Sequence, residues 1–509
     1  MIQIISELTF MKKILASILC LLSAYSQAQQ VQDLVLYGME QRTGTPRFQG
    51  MAGAFGALGA DFSALAINPA GTAVFNHNQL GFSLSYYNTE NDTQFGGNQT
   101  QAQKGHLGFN QAGVVFVYES KNNSPWKRLS IALNSDNSRQ YRGIMRANGS
   151  TANGLDQYFL DYANGTPFGD ILKLDNELLE EAYLNIGAEI GFAAQQAFLG
   201  YYAGVLDPSE LDNNAISSYV SNAHYSRVNQ QIQSDSRGTN SKFIATAAAQ
   251  YKDFLFLGAG IEFQSLSYQK QGRITEGGYD SDSPLGYLSF DNFIETTGES
   301  AALSIGGIAK IGHTLRLGLS YKSPTWYTLL DKTNQQLESN LEDIDLQYVD
   351  RNIINVFEEY QMTIPSKITA SAAIVIGKRG LISVDYSRQD FSKARFRPAA
   401  DAYFSNLNQE ANSRLNMVND LRIGGEFNLG QLSLRAGYSS SNSPLNTTTN
   451  KNLQKSMGLG WIFGSGKIDF AFSQLSQSGE FTALNYSSAP LIGMDLKRNT
   501  ATIGYTLFL

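Results

Sequence analysis

The feature that most narrows what this chain can fold into is a period-two alternation that returns again and again in runs of about ten residues. Leu80, Phe82, Leu84 and Tyr86 alternate with Gly81, Ser83 and Ser85. Leu315, Leu317, Leu319 and Tyr321 alternate with Arg316, Gly318 and Ser320. The same holds for Leu432, Leu434, Ala436 and Tyr438 against Ser433, Arg435 and Gly437, and for Ile468, Phe470 and Phe472 against Asp469 and Ala471. A strand reads this way when one face meets acyl chains and the other a polar lumen. Beyond the leader, no stretch reaches the roughly 18 to 20 apolar residues that a membrane helix needs, so membrane crossing is expected by strands.

Connection lengths alternate as well. Very short turns at Lys252-Asp253, Gly312-His313, Gly377-Lys378-Arg379-Gly380, Leu429-Gly430 and Gly464-Ser465-Gly466 are separated by long connections. If the short turns face the periplasm, upward strands begin near 79, 127, 254, 314, 381, 431 and 466, and downward strands end near 118, 251, 311, 376, 429, 464 and 509. The expected fold is therefore all-β, a transmembrane antiparallel β-barrel of about 14 strands with both ends on the periplasmic side. A soluble sandwich would also alternate, but it does not account for the loop lengths. Trp326 and Tyr327 fall near an outer strand end and Trp126 near an inner one, as interfacial aromatics do. The final run, Thr502 to Leu509, resembles the signal read by the barrel assembly machinery, although it ends in Leu rather than Phe. That machinery and outer-membrane lipids are expected partners, the outer membrane of a Gram-negative-type cell is the expected location, and a monomer is the expected state.

Several functions are disfavoured by composition. Only 16% of residues are charged and the net charge is −7, so no basic excess is available for nucleic acid. The single cysteine, Cys20, lies in an apolar run after Met11, Lys12 and Lys13, and the small residues Ser26 and Ala28 mark 1–28 as a cleaved signal peptide. His77, His106, His224 and His313 are scattered without metal-ligand spacing, so no metal is expected. Gly464-Ser465-Gly466-Lys467 lacks the rest of a phosphate loop, and no G-x-S-x-G elbow is present. The reading is a non-enzyme with no catalytic residues and no cofactor.

Residues 29–77 lack the alternation, and about fifty residues without a core of their own belong in the lumen as a plug, leaving 78–509 as the barrel. Their centre runs from Met51 through Gly53, Gly56 and Gly59 to Asp61, Ser63 and the turn Asn68-Pro69-Ala70-Gly71. This stretch resembles the N-terminal plug of the FadL-type outer-membrane transporters of long-chain fatty acids and other hydrophobic compounds. Tyr321-Lys322-Ser323-Pro324 and Ile364-Pro365-Ser366 are fainter echoes of the same family. The resemblance implies passive uptake of a hydrophobic small molecule by external capture, internal binding and release through an opening in the wall. It also implies that Asp61, Ser63, Asn68, Pro69, Ala70 and Gly71 form the plug segment that gates the path. A surface adhesin, a heme-binding barrel and a barrel-embedded lipid hydrolase are the alternatives.

The long connection 147–224 is too long for a simple loop and is expected outside the cell and partly helical. Leu174, Leu178, Ala182, Ile186 and Ile190 recur at four-residue spacing, followed by Phe192 and Phe198, and Leu178 and Phe198 are candidate capture residues. By strand parity Arg316, Lys322, Lys367, Arg422 and Arg435 point inward with Glu262, Asp385 and Asp469. Lys322 is the first candidate for a ligand carboxylate, with Arg316 second. Val114, Phe116, Phe256, Ile462 and Phe508 are read as inward apolar residues, and Phe116 and Phe256 as ligand contacts. After Leu129, Ile131 and Leu133 comes the polar break Asn134-Ser135-Asp136-Asn137-Ser138, the candidate wall opening.

Overall fold

The computed structural model describes residues 29–120, 124–341, 353–446 and 451–509; the expected leader 1–28 lies outside the described residues. Fourteen antiparallel strands pair in one circuit. In order they are β1 Gln79–Phe95, β2 Asn98–Glu119, β3 Trp126–Gln140 continued by Gly143–Thr151, β4 Val228–Tyr251, β5 Leu255–Gly277, and β6 Tyr287–Ile311. There follow β7 Leu315–Lys322 continued by Thr325–Ser339, β8 Tyr360–Ile364 continued by Lys367–Ile376, β9 Gly380–Asp390 and β10 Met417–Leu429. The last four are β11 Leu432–Asn442, β12 Lys451–Phe463, β13 Gly466–Phe481 and β14 Ile492–Phe508. The circuit closes where Gln79 of β1 pairs with Phe508 of β14. No helix among the described residues is long and apolar enough to cross a membrane.

Strand boundaries follow the alternation closely. Phe82 is 49% exposed on the outer face while its neighbour Ser83 is fully buried, and Leu434 and Arg435 divide in the same way. The short turns work because one residue in each adopts a left-handed conformation: Gly430 and Gly464 have φ of 67° and 54°. Trp326 and Trp126 face outward, but Tyr327 faces the lumen and is buried, so it is not part of an aromatic belt. β4 and β6, at 24 and 25 residues, are far longer than the roughly ten needed to cross a bilayer, and they project outward to carry the loops.

Preceding β1, the chain forms α1 Val31–Gly38 and α2 Pro46–Gly50, then two short helical turns at Ser63–Ala66 and Pro69–Val74. The connection between β3 and β4 begins only after Thr151 and ends at Val228, so residues 147–151 belong to the strand. It holds α3 Asp156–Ala163, α4 Leu179–Glu189 and α5 Phe192–Tyr202. The four-residue apolar spacing overreaches at its start, since Leu174 and Leu178 precede α4 and are exposed. Phe159, Tyr183 and Phe198 are buried against Leu288, Phe290 and Leu337 of the upper strands, so this connection is packed onto the barrel's outer end. A further helix, α6 Ala402–Arg414, lies between β9 and β10, and its Leu407 and Ala411 join a cluster with Leu34 and Tyr37 of α1 and Phe396.

Candidate functional site

The stretch from Gln29 to Phe75 bonds to inward-facing groups all around the circuit. Asp385 of β9 accepts hydrogen bonds from the backbone N–H groups of Phe55 and Gly56 at 3.0 and 2.9 Å. Arg47 grips Glu426 of β10 with two bonds of 2.8 and 3.0 Å. Thr72 bonds to Thr246 of β4 at 2.7 Å, and Ser456 of β12 accepts from the Ala52 N–H at 3.1 Å. Close approach is possible because the wall is glycine where the backbone touches it. A Cβ on Gly306 would lie 2.0 Å from Asn68 Oδ1, and one on Gly318 would lie 2.3 Å from the Gly56 carbonyl oxygen.

The six residues singled out in this stretch hold its own shape. Asp61 accepts from Thr45 Oγ1 at 2.7 Å and from the Ser63 N–H at 3.0 Å, and Ser63 Oγ accepts from the Thr45 N–H at 2.8 Å. Asn68 caps the turn that Pro69 opens: its side chain accepts from the Ala70 N–H at 3.1 Å. The same side chain donates to the carbonyls of Gly56 and Gly307 at 2.8 and 3.1 Å, tying the turn to β6. Gly71 packs face to face with Gly59, where an added Cβ would lie 2.8 Å from the Gly59 Cα.

Above this stretch lies a chamber of about 190 Å³. Its walls hold Arg42, Arg139, Lys242, Lys322, Lys367, Arg422 and Arg498 against the carboxylates Glu40, Asp136 and Asp420, with apolar Met39, Phe48, Ile67, Val418 and Leu475 between them. Lys322 and Lys367 are direct cross-strand partners on β7 and β8, each at the end of its ladder beside a proline break, Pro324 on one strand and Pro365 on the other. Both ammonium groups hold Glu40, at 2.8 Å each. Burial alone would raise the Glu40 carboxyl, but Lys322, Lys367 and Lys242 together hold it well below its usual range. Glu40 and Lys242 escaped the sequence reading. Glu40 lies outside any alternating run, and Lys242 carries no motif, although its parity on β4 is inward.

Other candidates take different places. Arg316 donates to the Leu58 carbonyl at 3.1 Å and does not line the chamber. Phe256 is buried and inward, but it is sealed against Ala70, Ala73 and Ile308, outside the chamber lining. Phe116 is corrected outright: it is 54% exposed on the outer face, and Val114 shares its parity. The cause is a bulge in the β1–β2 ladder, where Ser83 pairs with Gln111 but Leu84 pairs with Phe109, so Asn110 is extra and the faces of β2 exchange. Ile462 and Phe508 line a separate recess at the inner mouth, beside Arg47 and Asp61. Leu178 is exposed on the outer connection, whereas Phe198 is fully buried and offers no capture surface.

The polar run 134–138 remains strand rather than leaving the wall. Its alternation ends because Asn137, Ser138 and Gln140 turn inward around a second bulge. The β2–β3 ladder stops at the pair Gln111–Asp136, and above it the Asn137 amide reaches across to the Phe109 carbonyl at 2.8 Å. Asn134 is bonded by Gln111 at 2.8 Å, Ser135 pairs with Phe243 on the β4 side, and the Ser138 carbonyl accepts the Gln41 N–H at 2.8 Å. Asp136 and Arg139 line the chamber, so the place where the ladder ends borders it directly.

A closed fourteen-strand barrel that folds its own leading stretch against its inner wall, beneath a cation-lined chamber, defines a known architectural class. Among solved structures, a Pseudomonas aeruginosa FadL homologue matches with a TM-score of 0.55 at 14% identity, over 92% of this chain and 99% of that chain. The P. putida toluene transporter TodX matches at 0.49 and 13%, over 92% and 99%, and the CymD monoaromatic hydrocarbon channel at 0.46 and 11%, over 92% and 98%. The first of these establishes the fold as that of the FadL-type barrels. No family model and no curated protein matches the sequence.

Proposed function

We propose that this protein is a passive outer-membrane channel for hydrophobic small molecules that carry a carboxylate head, long-chain fatty acids among them. One observation carries the reading: the chamber combines seven cationic side chains and three carboxylates with intervening apolar groups. Such a lining suits an amphiphile, because guanidinium and ammonium groups bind carboxylates strongly where water is scarce, while a plain hydrocarbon has no group for them to bind. In this reading residues 29–77 act as the plug, exposed Leu174 and Leu178 contribute to capture, Lys322 meets the head group, and the gap above Gln111–Asp136 is the way out through the wall. The shared fold with a FadL homologue supports hydrophobic uptake as the general task. The barrel works as a monomer delivered by the barrel assembly machinery.

The test is flux. Purified protein is reconstituted into liposomes enclosing a fatty-acid indicator, and entry of a long-chain fatty acid is compared with empty liposomes and with glucose entry. Faster fatty-acid entry without faster glucose entry is the expected result. Equal rates with and without protein overturn the reading.

A further inference from the structure

Three ammonium groups and three carboxylates meet at the chamber wall. Lys322 bonds to Glu40 and to Glu262 at 2.8 and 2.7 Å, Lys367 bonds to Glu40 at 2.8 Å, and Lys242 lies 3.6 Å from Asp136 and 3.9 Å from Glu40. Glu262 and Asp136 are fixed on strands of the wall, β5 and β3. Glu40 is not: it sits on the connection between α1 and α2. Among the described residues it is the only carboxylate within ion-pair distance of Lys367.

Charge balance makes this arrangement exchangeable. With Glu40 in place the cluster is neutral, and without it one buried ammonium is left unpaired, which is strongly unfavourable. Only another anion can take its place without that penalty. The Glu40 side chain retains a quarter of its exposure and faces the chamber, so an incoming head group can reach the same ammonium groups. Resting on the uptake reading above, we propose that Glu40 is a tethered stand-in for the ligand's carboxylate. The ligand head takes over Lys322 and Lys367, one anion for one, and the 39–43 connection is released from that side of the wall. Its remaining ties include the Gln41 N–H to the Ser138 carbonyl and the Thr43 hydroxyl to the Asn137 carbonyl, both on the strand where the β2–β3 ladder ends. Displacement of Glu40 therefore loosens the connection that braces the gap. A neutral molecule of the same length cannot trigger this, since it would leave the lysines unpaired.

The experiment uses the full-length barrel in amphipol, with decanoate and decanol as probes, binding measured by calorimetry, and folding checked by heat-modified gel mobility. Glu40→Gln removes the competitor and should raise the ratio of decanoate to decanol affinity about tenfold, while Lys367→Met should lower it about tenfold. In the wild-type protein, saturating decanoate but not decanol should speed amide hydrogen exchange at residues 39–43. A Glu40→Gln ratio that is unchanged or lowered overturns the exchange, as does equal acceleration by both probes. If Glu40→Gln fails to assemble, the Lys367→Met ratio and the wild-type exchange rates decide. Should both probes bind and cross liposomes while none of these quantities moves, the exchange alone fails; should neither bind nor cross, the uptake reading fails with it.

Discussion

The 39–43 connection and the 50–74 stretch lie in the same chain a few residues apart, yet they are held by different physics. The lower stretch meets the wall backbone to backbone, through Gly258 and Gly318, and its N–H groups end on the buried Asp385 carboxylate. Contacts of that kind are short-ranged and leave no room for a substitute. The upper connection is held by ion pairs to long lysine side chains and by single hydrogen bonds, beside an open chamber. Those bonds can be traded for equivalent ones. In the proposed reading, one region seals and the other yields.

The contrast can be broken at its strongest point. Asp385→Leu removes the acceptor of two buried N–H groups and a counter-charge to Arg422, and should cost roughly 3–5 kcal/mol. The expected readouts are a lower melting temperature and steady ion conductance in planar bilayers; an unchanged, silent barrel would contradict the sealing role. Gly306→Val forces a side chain into Asn68 and should cost about 1–3 kcal/mol, seen as a lower temperature for loss of folded gel mobility. Asn68→Ala, which loses the cap, should cost about 1–2 kcal/mol in the same assay. The smallest effect belongs to the yielding region: Thr43→Val loses one bond and should cost about 0.5–1.5 kcal/mol. Hydrogen exchange sharpens the comparison further, because amides at 39–43 should exchange faster than those of Phe55 and Gly56. The reverse order would mean that the two regions have been assigned the wrong way round.

Strand starts at 255, 315, 380, 432 and 466 were legible because each lies next to a glycine-rich or two-residue turn and opens an alternating run, and those at 79 and 126 because the alternation begins there. Inward lysines and arginines on those runs were legible for the same reason, Lys322, Lys367, Arg422 and Arg435 being on the lumen side. Phe116 was not, since a bulge at Asn110 inserts a residue without a sequence signature and reverses every assignment beyond it. Phe198 was misplaced because the helical periodicity marks an apolar face but not what covers it, and here strands from distant parts of the chain do. The pairing of Glu40 was invisible because its partners are Lys242, Lys322 and Lys367, some two to three hundred residues away in sequence.

The ladder between Gln79 and Phe508 has a consequence for biogenesis. The first strand waits for the fourteenth, so the cylinder stays open along one line until nearly all of the polypeptide is in place. Residues 29–75 precede every strand in the chain, and they hang from the very edge that is zipped last. The wall can therefore be wrapped around its contents, with no need to thread them through a finished pore.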